Sequence, residues 1–399
     1  MYIMPLLGTA ILWRCGSVLS SGTSIYCKNG LHSLWSMLIL TALQAFAALT
    51  RIRAGDDPIE MVTVFAAVAV MGWLLFLCQL WMGKTAMDGP ILGLLLCTLG
   101  LATQKELGIQ TVAVGLGIGT YVAVERLRGN VRAGIWAGAL ALALLALTAV
   151  AGKRIHGARN WLILGPVSIQ PSELSKLSFA MLVGVQKNTK VLCAYCFGIC
   201  LLLGLMNDVG AAAVFFAGFL AAACFCPQCR GITGLTVTAL ATAGAVAVRL
   251  APHALGRFSA WRHIWEQPAG SGYQQTKGLM CLASGGLFGL GAGQGWMRNL
   301  FAGDSDMVFA AVGEQWGLMT ALLTVGAVLV LGLSVLKQGS VAAHAAAGML
   351  LAQSALNVLG AVDVLPMTGV TLPFVSSGGT AMVAAWGLLA VLQQNREAL

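Results

Sequence analysis

The chain has 399 residues, 58% of them apolar and only 9% charged, against roughly 25% charged in a soluble domain. This excludes a soluble globular enzyme. The net charge of +9, from 23 basic and 14 acidic residues, does not indicate nucleic acid either, because short basic loops between apolar segments are what the positive-inside rule produces. The composition predicts an all-α fold, a polytopic transmembrane bundle of about ten to twelve spans, each needing ~20 apolar residues to cross ~30 Å of hydrocarbon.

Residues 1–58 form an N-terminal region with a short apolar start (1–12) and a transmembrane helix at 34–49. Residues 59–399 form one polytopic domain. Its first span covers 59–80, and 88–103 and 107–124 are two spans or one irregular one, split at Gln104-Lys105-Glu106. The basic loop Arg126, Arg128, Arg132 reads as cytoplasmic, so 133–151 runs outward and 152–170 is extracytoplasmic. Pro171-Ser172-Glu173 opens the returning helix, with proline in the first turn and the acid at the positive dipole end. Lys187 and Lys190 mark the inner side again, and Lys337 and Arg396 fit the same side. Arg51, Arg53 and Lys84 do not settle the N-terminal topology.

Two apolar segments, 192–206 and 210–225, are broken at Asn207-Asp208. The Cys226-Pro227-Gln228-Cys229 motif that follows is half a zinc site and reads as incidental, since no second ligand pair stands out. The other cysteines named in apolar runs, such as Cys78, Cys97 and Cys193, act as small hydrophobes. After a span at 232–250 comes a polar, Gly-rich insert from about 252 to 306, which this topology places outside. Spans at 307–336, 341–362 and 370–392 complete the bundle and leave the C-terminus cytoplasmic.

The insert concentrates cations, Arg257, Arg262, His263, Lys277 and Arg298, on the side where the positive-inside rule expects few. Together with Arg159 they suit phosphate or pyrophosphate, arginine being the planar bidentate partner; the alternative is a grip on lipid headgroups. Glycines 285, 286, 289, 291 and 293 let backbone approach a bulky ligand. Acids beside apolar spans are costly and must be paired or functional. Asp208 either caps a helix or lines a cavity. Glu173 and Lys176, at i and i+3, form an ion pair or face a cavity. Asp306 and Glu314 fall near one helix face. Asn357 and Asp363 are weaker candidates.

These residues, with their glycines and prolines, resemble the SEDS family of FtsW, RodA and SpoVE proteins. The resemblance runs from about residue 59 to the C-terminus. It rests on Gly157-Ala158-Arg159-Asn160-Trp161, Gln170-Pro171-Ser172-Glu173-Leu174-Ser175-Lys176 and Asp208-Val209-Gly210. It continues through Gly272-Tyr273-Gln274, Ser284-Gly285-Gly286-Leu287-Phe288-Gly289, Asp306, Glu314 and Asn357. At the C-terminal end it rests on Leu365-Pro366, Thr368-Gly369, Leu372-Pro373-Phe374, Ser376 and Gly378-Gly379.

The resemblance implies a bacterial plasma-membrane protein that polymerises lipid II into glycan strands, with a class B penicillin-binding protein as partner. The reaction inverts the anomeric carbon, and undecaprenyl pyrophosphate leaves. The substrate contacts expected from the residues and the resemblance together are Arg159, Glu173, Lys176, Asp208, Arg257, Arg262, Tyr273, Gln274, Lys277, Ser284, Asp306, Glu314 and Ser376. No organic cofactor is implied. A divalent cation, Mg or Mn, is compatible with a pyrophosphate near Asp304 or Asp306, although no metal-ligand spacing supports one strongly.

The chain departs from the family at the catalytic position. The family's general base is an Asp before a Pro in the large loop, and Gln267 stands there. A neutral amide does not accept a hydroxyl proton at neutral pH. Asp304 replaces the family's His, Gln315 the second Glu of a Glu-Glu pair, and Lys277-Gly278 a Gln-Ser. Three readings stay open: polymerisation with Glu266 or Asp304 as base; a lipid II-binding scaffold or regulator of a penicillin-binding protein; or transport of the lipid-linked precursor.

Overall fold

The computed structural model describes residues 3–21, 26–84, 87–155, 158–165, 167–225, 234, 258, 260–300, 303–336 and 339–393. Several sequence expectations lie outside the described residues: the Cys226–Cys229 motif, the span at 232–250, Arg257, Lys337 and Arg396. The described residues form a helical bundle: α1 (Ile3–Ser21), α2 (Tyr26–Arg53), α3 (Pro58–Trp81), α4 (Asp88–Thr103), α5 (Leu107–Arg126), α6 (Val131–Ala151), α7 (Pro171–Val185), α8 (Thr189–Leu205), α9 (Val209–Cys224), α10 (Tyr273–Gly285), α11 (Val308–Leu333), α12 (Val341–Ala361) and α13 (Gly379–Leu392). Six of these helices hold stretches long and apolar enough to cross a membrane, and the chain is a multi-pass membrane protein. Residues 88–103 and 107–126 are two helices, separated at Gln104–Glu106.

Local sequence sets where helices begin. Asp57 accepts from the Ile59 amide at 3.1 Å, with Pro58 in the first turn of α3. Asn130, Asn188 and Ser340 cap α6, α8 and α12 in the same way. Each side-chain oxygen satisfies an amide that has no partner inside its helix. Glycines then let helices meet closely, as expected where dispersion drives association in lipid. A Cβ at Gly117 would lie 2.4 Å from the Trp386 ring, joining α5 to α13. One at Gly218 or Gly348 would lie 2.4 Å from Met349 or 2.6 Å from Ala221, joining α9 to α12.

Four features add to or depart from the sequence expectation. First, the connection 152–170 folds into a three-stranded antiparallel sheet, β1 (Lys153–Ile155), β2 (Ala158–Leu164) and β3 (Val167–Ile169), in the order β1-β2-β3. Second, the expected span at 370–392 is helical only from Gly379. Residues 370–378 form a turn because Pro373 has no N–H to donate, Phe374 sits at φ 65°, and the Ser376 hydroxyl takes the Leu372 amide at 2.8 Å. Third, Arg51 is buried and caps α4: its guanidinium donates to the carbonyls of Leu101, Ala102 and Gln104 and pairs with Asp56.

Fourth, the polar insert holds α10 and a tight loop that packs against a break in α11. Gly317 leaves helical geometry at φ 85°, ψ 167°. The amides of Leu318 and Met319 turn to the carbonyls of Gly286 and Leu287, while the amides of Leu290 and Gly291 reach the carbonyls of Glu314 and Gln315. Of the glycines expected to admit a ligand, Gly285 and Gly289 therefore admit the chain's own backbone. At Gly289, φ is +83° and a Cβ would lie 2.3 Å from the Gln315 carbonyl oxygen. Gly289→Ala is expected to destabilise the protein by at least about 1–3 kcal/mol. Thermal unfolding in detergent checks this, and an unchanged midpoint would contradict the packing described.

Candidate functional site

The ends of α6, α8 and α12 and the starts of α7, α9, α11 and α13 meet at one end of the bundle, with the sheet beside them. A cavity of about 980 Å³ opens there, lined by the sheet, the first turns of α7, α9 and α13, the segments 303–306 and 365–371, and Leu356 of α12. Four carboxylates line it, Glu173, Asp208, Asp304 and Asp306, with Lys176 the one cation among the described lining residues. Asn160, Gln170, Thr368, Thr371, Ser377 and Thr380 add neutral polar groups, and Trp161 and Trp261 add aromatic surface. Ile155, Ile163, Leu356, Leu365, Met367 and Val370 make part of the wall apolar.

The deep part is an ordered polar chain. Lys176, 1% exposed, pairs with Glu173 at 2.6 Å across one turn of α7. Its ammonium also donates to Gln353 Oε1 at 2.7 Å, and Gln353 Nε2 donates to the Thr371 hydroxyl at 3.0 Å. The two readings of Glu173 and Lys176 thus hold together: they are an ion pair, and they line the cavity. Asp208 likewise does both. Its Oδ1 accepts from the Ala211 amide at 3.1 Å and caps α9. Its Oδ2 faces the Asn160 amide at 3.3 Å and the Ser172 hydroxyl at 3.4 Å.

Asp304 and Asp306 come from the segment that leads into α11. Ser377 donates its amide to the Asp304 carbonyl at 2.8 Å, and Asp304 Oδ2 accepts from the Lys105 amide at 3.3 Å. The Asn357 side chain holds the Asp306 carbonyl at 3.0 Å and the Val370 carbonyl at 2.8 Å. The Ser376 hydroxyl donates to the Ser305 carbonyl at 2.6 Å. Asn357 and Ser376 therefore fasten the loop that presents the two acids, and neither lines the cavity.

Other sequence candidates are engaged elsewhere. Arg159 donates to the last carbonyls of α6, Ala149 at 2.8 Å and Val150 at 3.2 Å, the usual service of a cation at a helix C-terminus. Arg262 lies 5.1 Å from the Trp261 ring centroid and Lys277 5.0 Å from that of Trp296. Glu314 does not share a face with Asp306. Asp306 precedes α11, and the Glu314 carboxylate accepts from the Trp296 and Met297 amides, both at 2.8 Å. Gln267 is exposed and accepts from the Ser271 hydroxyl at 2.9 Å. Glu266 is exposed and faces His263 at 2.9 Å. Tyr273, Gln274 and Ser284 lie on or beside α10, away from the lining.

Sequence reasoning passed over Asn160 and Gln353. Asn160 is the extra residue at an irregularity in β2, between Arg159, which pairs with Arg154, and Trp161, which pairs with Lys153, and no local sequence pattern announced it. The signal for Gln353 was an amide within an apolar helix, one turn before Asn357. Among the described residues no group of three or more His, Cys, Asp or Glu side chains is arranged to hold a metal ion.

Fold and cavity together define a multi-pass helical membrane protein with a polar, acid-lined chamber at one end. The family model described as "Cell cycle protein", covering FtsW, RodA and SpoVE, matches residues 106–398. The chain belongs to this family. It is 30% identical over 326 residues to the probable peptidoglycan glycosyltransferase FtsW of Tolumonas auensis, covering 73% of this chain and 82% of that one. It is 30% identical over 288 residues to the peptidoglycan glycosyltransferase RodA of Mycobacterium tuberculosis, covering 64% and 61%. Two solved structures share the fold at 24% identity. A chain of a peptidoglycan synthase complex aligns with a TM-score of 0.55 over 84% of this chain and 97% of its own. RodA of Thermus thermophilus aligns with a TM-score of 0.53 over 78% and 96%.

Proposed function

We propose that the chain is a peptidoglycan glycosyltransferase that polymerises lipid II, with the disaccharide held in the acid-lined cavity and Asp304 as general base. The observation that carries this reading is the separation of the candidate bases: Asp304 lines the cavity, whereas Glu266 and Gln267 are exposed outside it. Carboxylates and amides accept and donate to sugar hydroxyls, and Trp161 and Trp261 offer apolar faces to sugar rings. In the reaction, the acceptor's 4-hydroxyl oxygen attacks the donor's anomeric carbon. The bond from that carbon to the pyrophosphate oxygen breaks, undecaprenyl pyrophosphate leaves with the electron pair, and Asp304 takes the hydroxyl proton.

The names of the relatives support the activity, and the likeness to a synthase complex supports a class B penicillin-binding protein as partner. A photoreactive lipid II is expected to label peptides containing Trp161 or Met367, with unlabelled lipid II competing. Labelling confined to the exposed segment around Gln267 would overturn the assignment.

The cavity end is the extracytoplasmic one in this reading. Arg126, Arg128, Arg132, Lys187 and Lys190 all lie at the opposite ends of α5–α8, the side that positive-inside assigns to the cytoplasm. A membrane-impermeant thiol reagent added to intact cells is expected to label Ser271→Cys at least tenfold faster than Thr189→Cys, measured over the unmodified chain. The reverse order would invert the topology.

A further inference from the structure

The segment from Tyr273 to Asn299 enters the bundle and comes back. A Cβ at Gly278 would meet Met307, just before α11, and one at Gly285 would meet Gly313 and Glu314. Contacts advance together along both helices, so α10 runs alongside α11 in the same direction, away from the cavity end. The chain then reverses at Gly286–Gly291, against the break in α11. By Asn299 it has returned to the cavity end, where Lys105 donates to Asn299 at 3.0 Å and to Asp304.

Depth follows from helix geometry. The 26 residues of α11, two helical arms joined at the Gly317 break, span about 39 Å at most at ~1.5 Å each, exceeding a ~30 Å core by up to about 4–5 Å at each end. The reversal pairs with Glu314–Met319, about 9–17 Å along α11, and so about 5–12 Å inside the hydrocarbon boundary. Non-helical backbone at such depth needs protein partners for its polar groups. It has them: the Gly289 amide bonds the Gly285 carbonyl at 2.7 Å, and four amide–carbonyl bonds tie the loop to the broken turn of α11 at 2.9–3.2 Å.

What the reversal turns outward is apolar. Leu287 is 56% exposed, Phe288 38% and Leu290 48%. They continue the exposed apolar surface of α11 at Leu318, Met319 and Leu322, the surface of a membrane span. Nearer the return, Trp296 is 45% exposed with Lys277 beside its ring, a pairing suited to the headgroup level. We infer that Tyr273–Asn299 is a re-entrant hairpin inserted into the bilayer, with acyl chains covering Leu287, Phe288 and Leu290. It would brace the first half of α11 from the lipid side, and with it the loop that carries Asp304 and Asp306.

The test places a benzophenone amino acid at Phe288, at Leu290, at Leu322 and at Ser271, in full-length protein in phosphatidylethanolamine–phosphatidylglycerol vesicles. After irradiation, phospholipid-mass adducts are expected at 288 and 290 at the level of 322, and at least tenfold above 271. Adducts to a second copy of the chain, or adducts at 322 but not at 288 and 290, would overturn the inference. Leu290→Cys gives an independent check. A membrane-impermeant thiol reagent should label it at least tenfold more slowly in vesicles than Ser271→Cys, and equal rates would overturn the hairpin's insertion.

Discussion

Lys176→Met is expected to destabilise the protein by about 3–5 kcal/mol, because it strands the Glu173 carboxylate in the bundle without its partner. Lys176 is 1% exposed and Glu173 5%, so solvent does not compensate. The loss also frees Gln353 Oε1, and through Gln353 it loosens Thr371 on the cavity wall. The double variant Glu173→Gln/Lys176→Met removes both charges and is expected to regain most of the stability, as neutral replacements of buried pairs do. Thermal unfolding of the three proteins in one detergent measures the difference. A single variant as stable as the parent would show that the pair does not organise the cavity.

Asp304→Asn is expected to lower the rate of glycan polymerisation by about 10²–10⁴-fold, the usual contribution of a positioned general base. Asparagine keeps the size and an oxygen facing the Lys105 amide, but takes up no proton. Folding should be little affected, because the loop is held by other groups: the Asp304 carbonyl accepts from Ser377, and Asn357 and Ser376 bind Asp306 and Ser305. Gln267→Asp is expected to change the rate by less than about threefold, since that side chain sits outside the cavity and a base must reach its proton within hydrogen-bonding distance. Initial rates for the two variants decide between the positions. A large gain from Gln267→Asp with little loss from Asp304→Asn would return the chemistry to the exposed segment.

Much of the bundle was legible because a membrane span must be long and apolar. The run 59–80 is helix Pro58–Trp81, and 133–151 lies within Val131–Ala151. The acids of the cavity were legible for the complementary reason: a charge among apolar residues stands out, as Glu173, Lys176 and Asp208 do. Cations were not legible in this way. Exposed or partly exposed arginines and lysines read alike whether they hold a phosphate, cap a helix as Arg159 does, or lie over a tryptophan as Arg262 and Lys277 do.

The remaining misses are non-local. Nothing near Gly317 announces that α11 will exchange backbone bonds with residues some 30 positions earlier. Nor does the run 370–392 show that its first third folds as a turn against Ser305. Glycine in Ser284-Gly285-Gly286-Leu287-Phe288-Gly289 signalled close approach correctly, but composition does not say whether the approaching group is a ligand or the chain itself.

Glycan-strand synthesis is the activity on which the roles of Asp304 and the cavity rest. The most direct measurement is strand formation from purified lipid II by the reconstituted, unmodified protein, with and without a class B penicillin-binding protein, scored by product length. Polymer is expected from the unmodified chain, with Asp304→Asn alongside giving little or none. Tight binding of lipid II without any polymer, in the presence of the partner, would contradict it and leave a binding protein that kept the family's cavity.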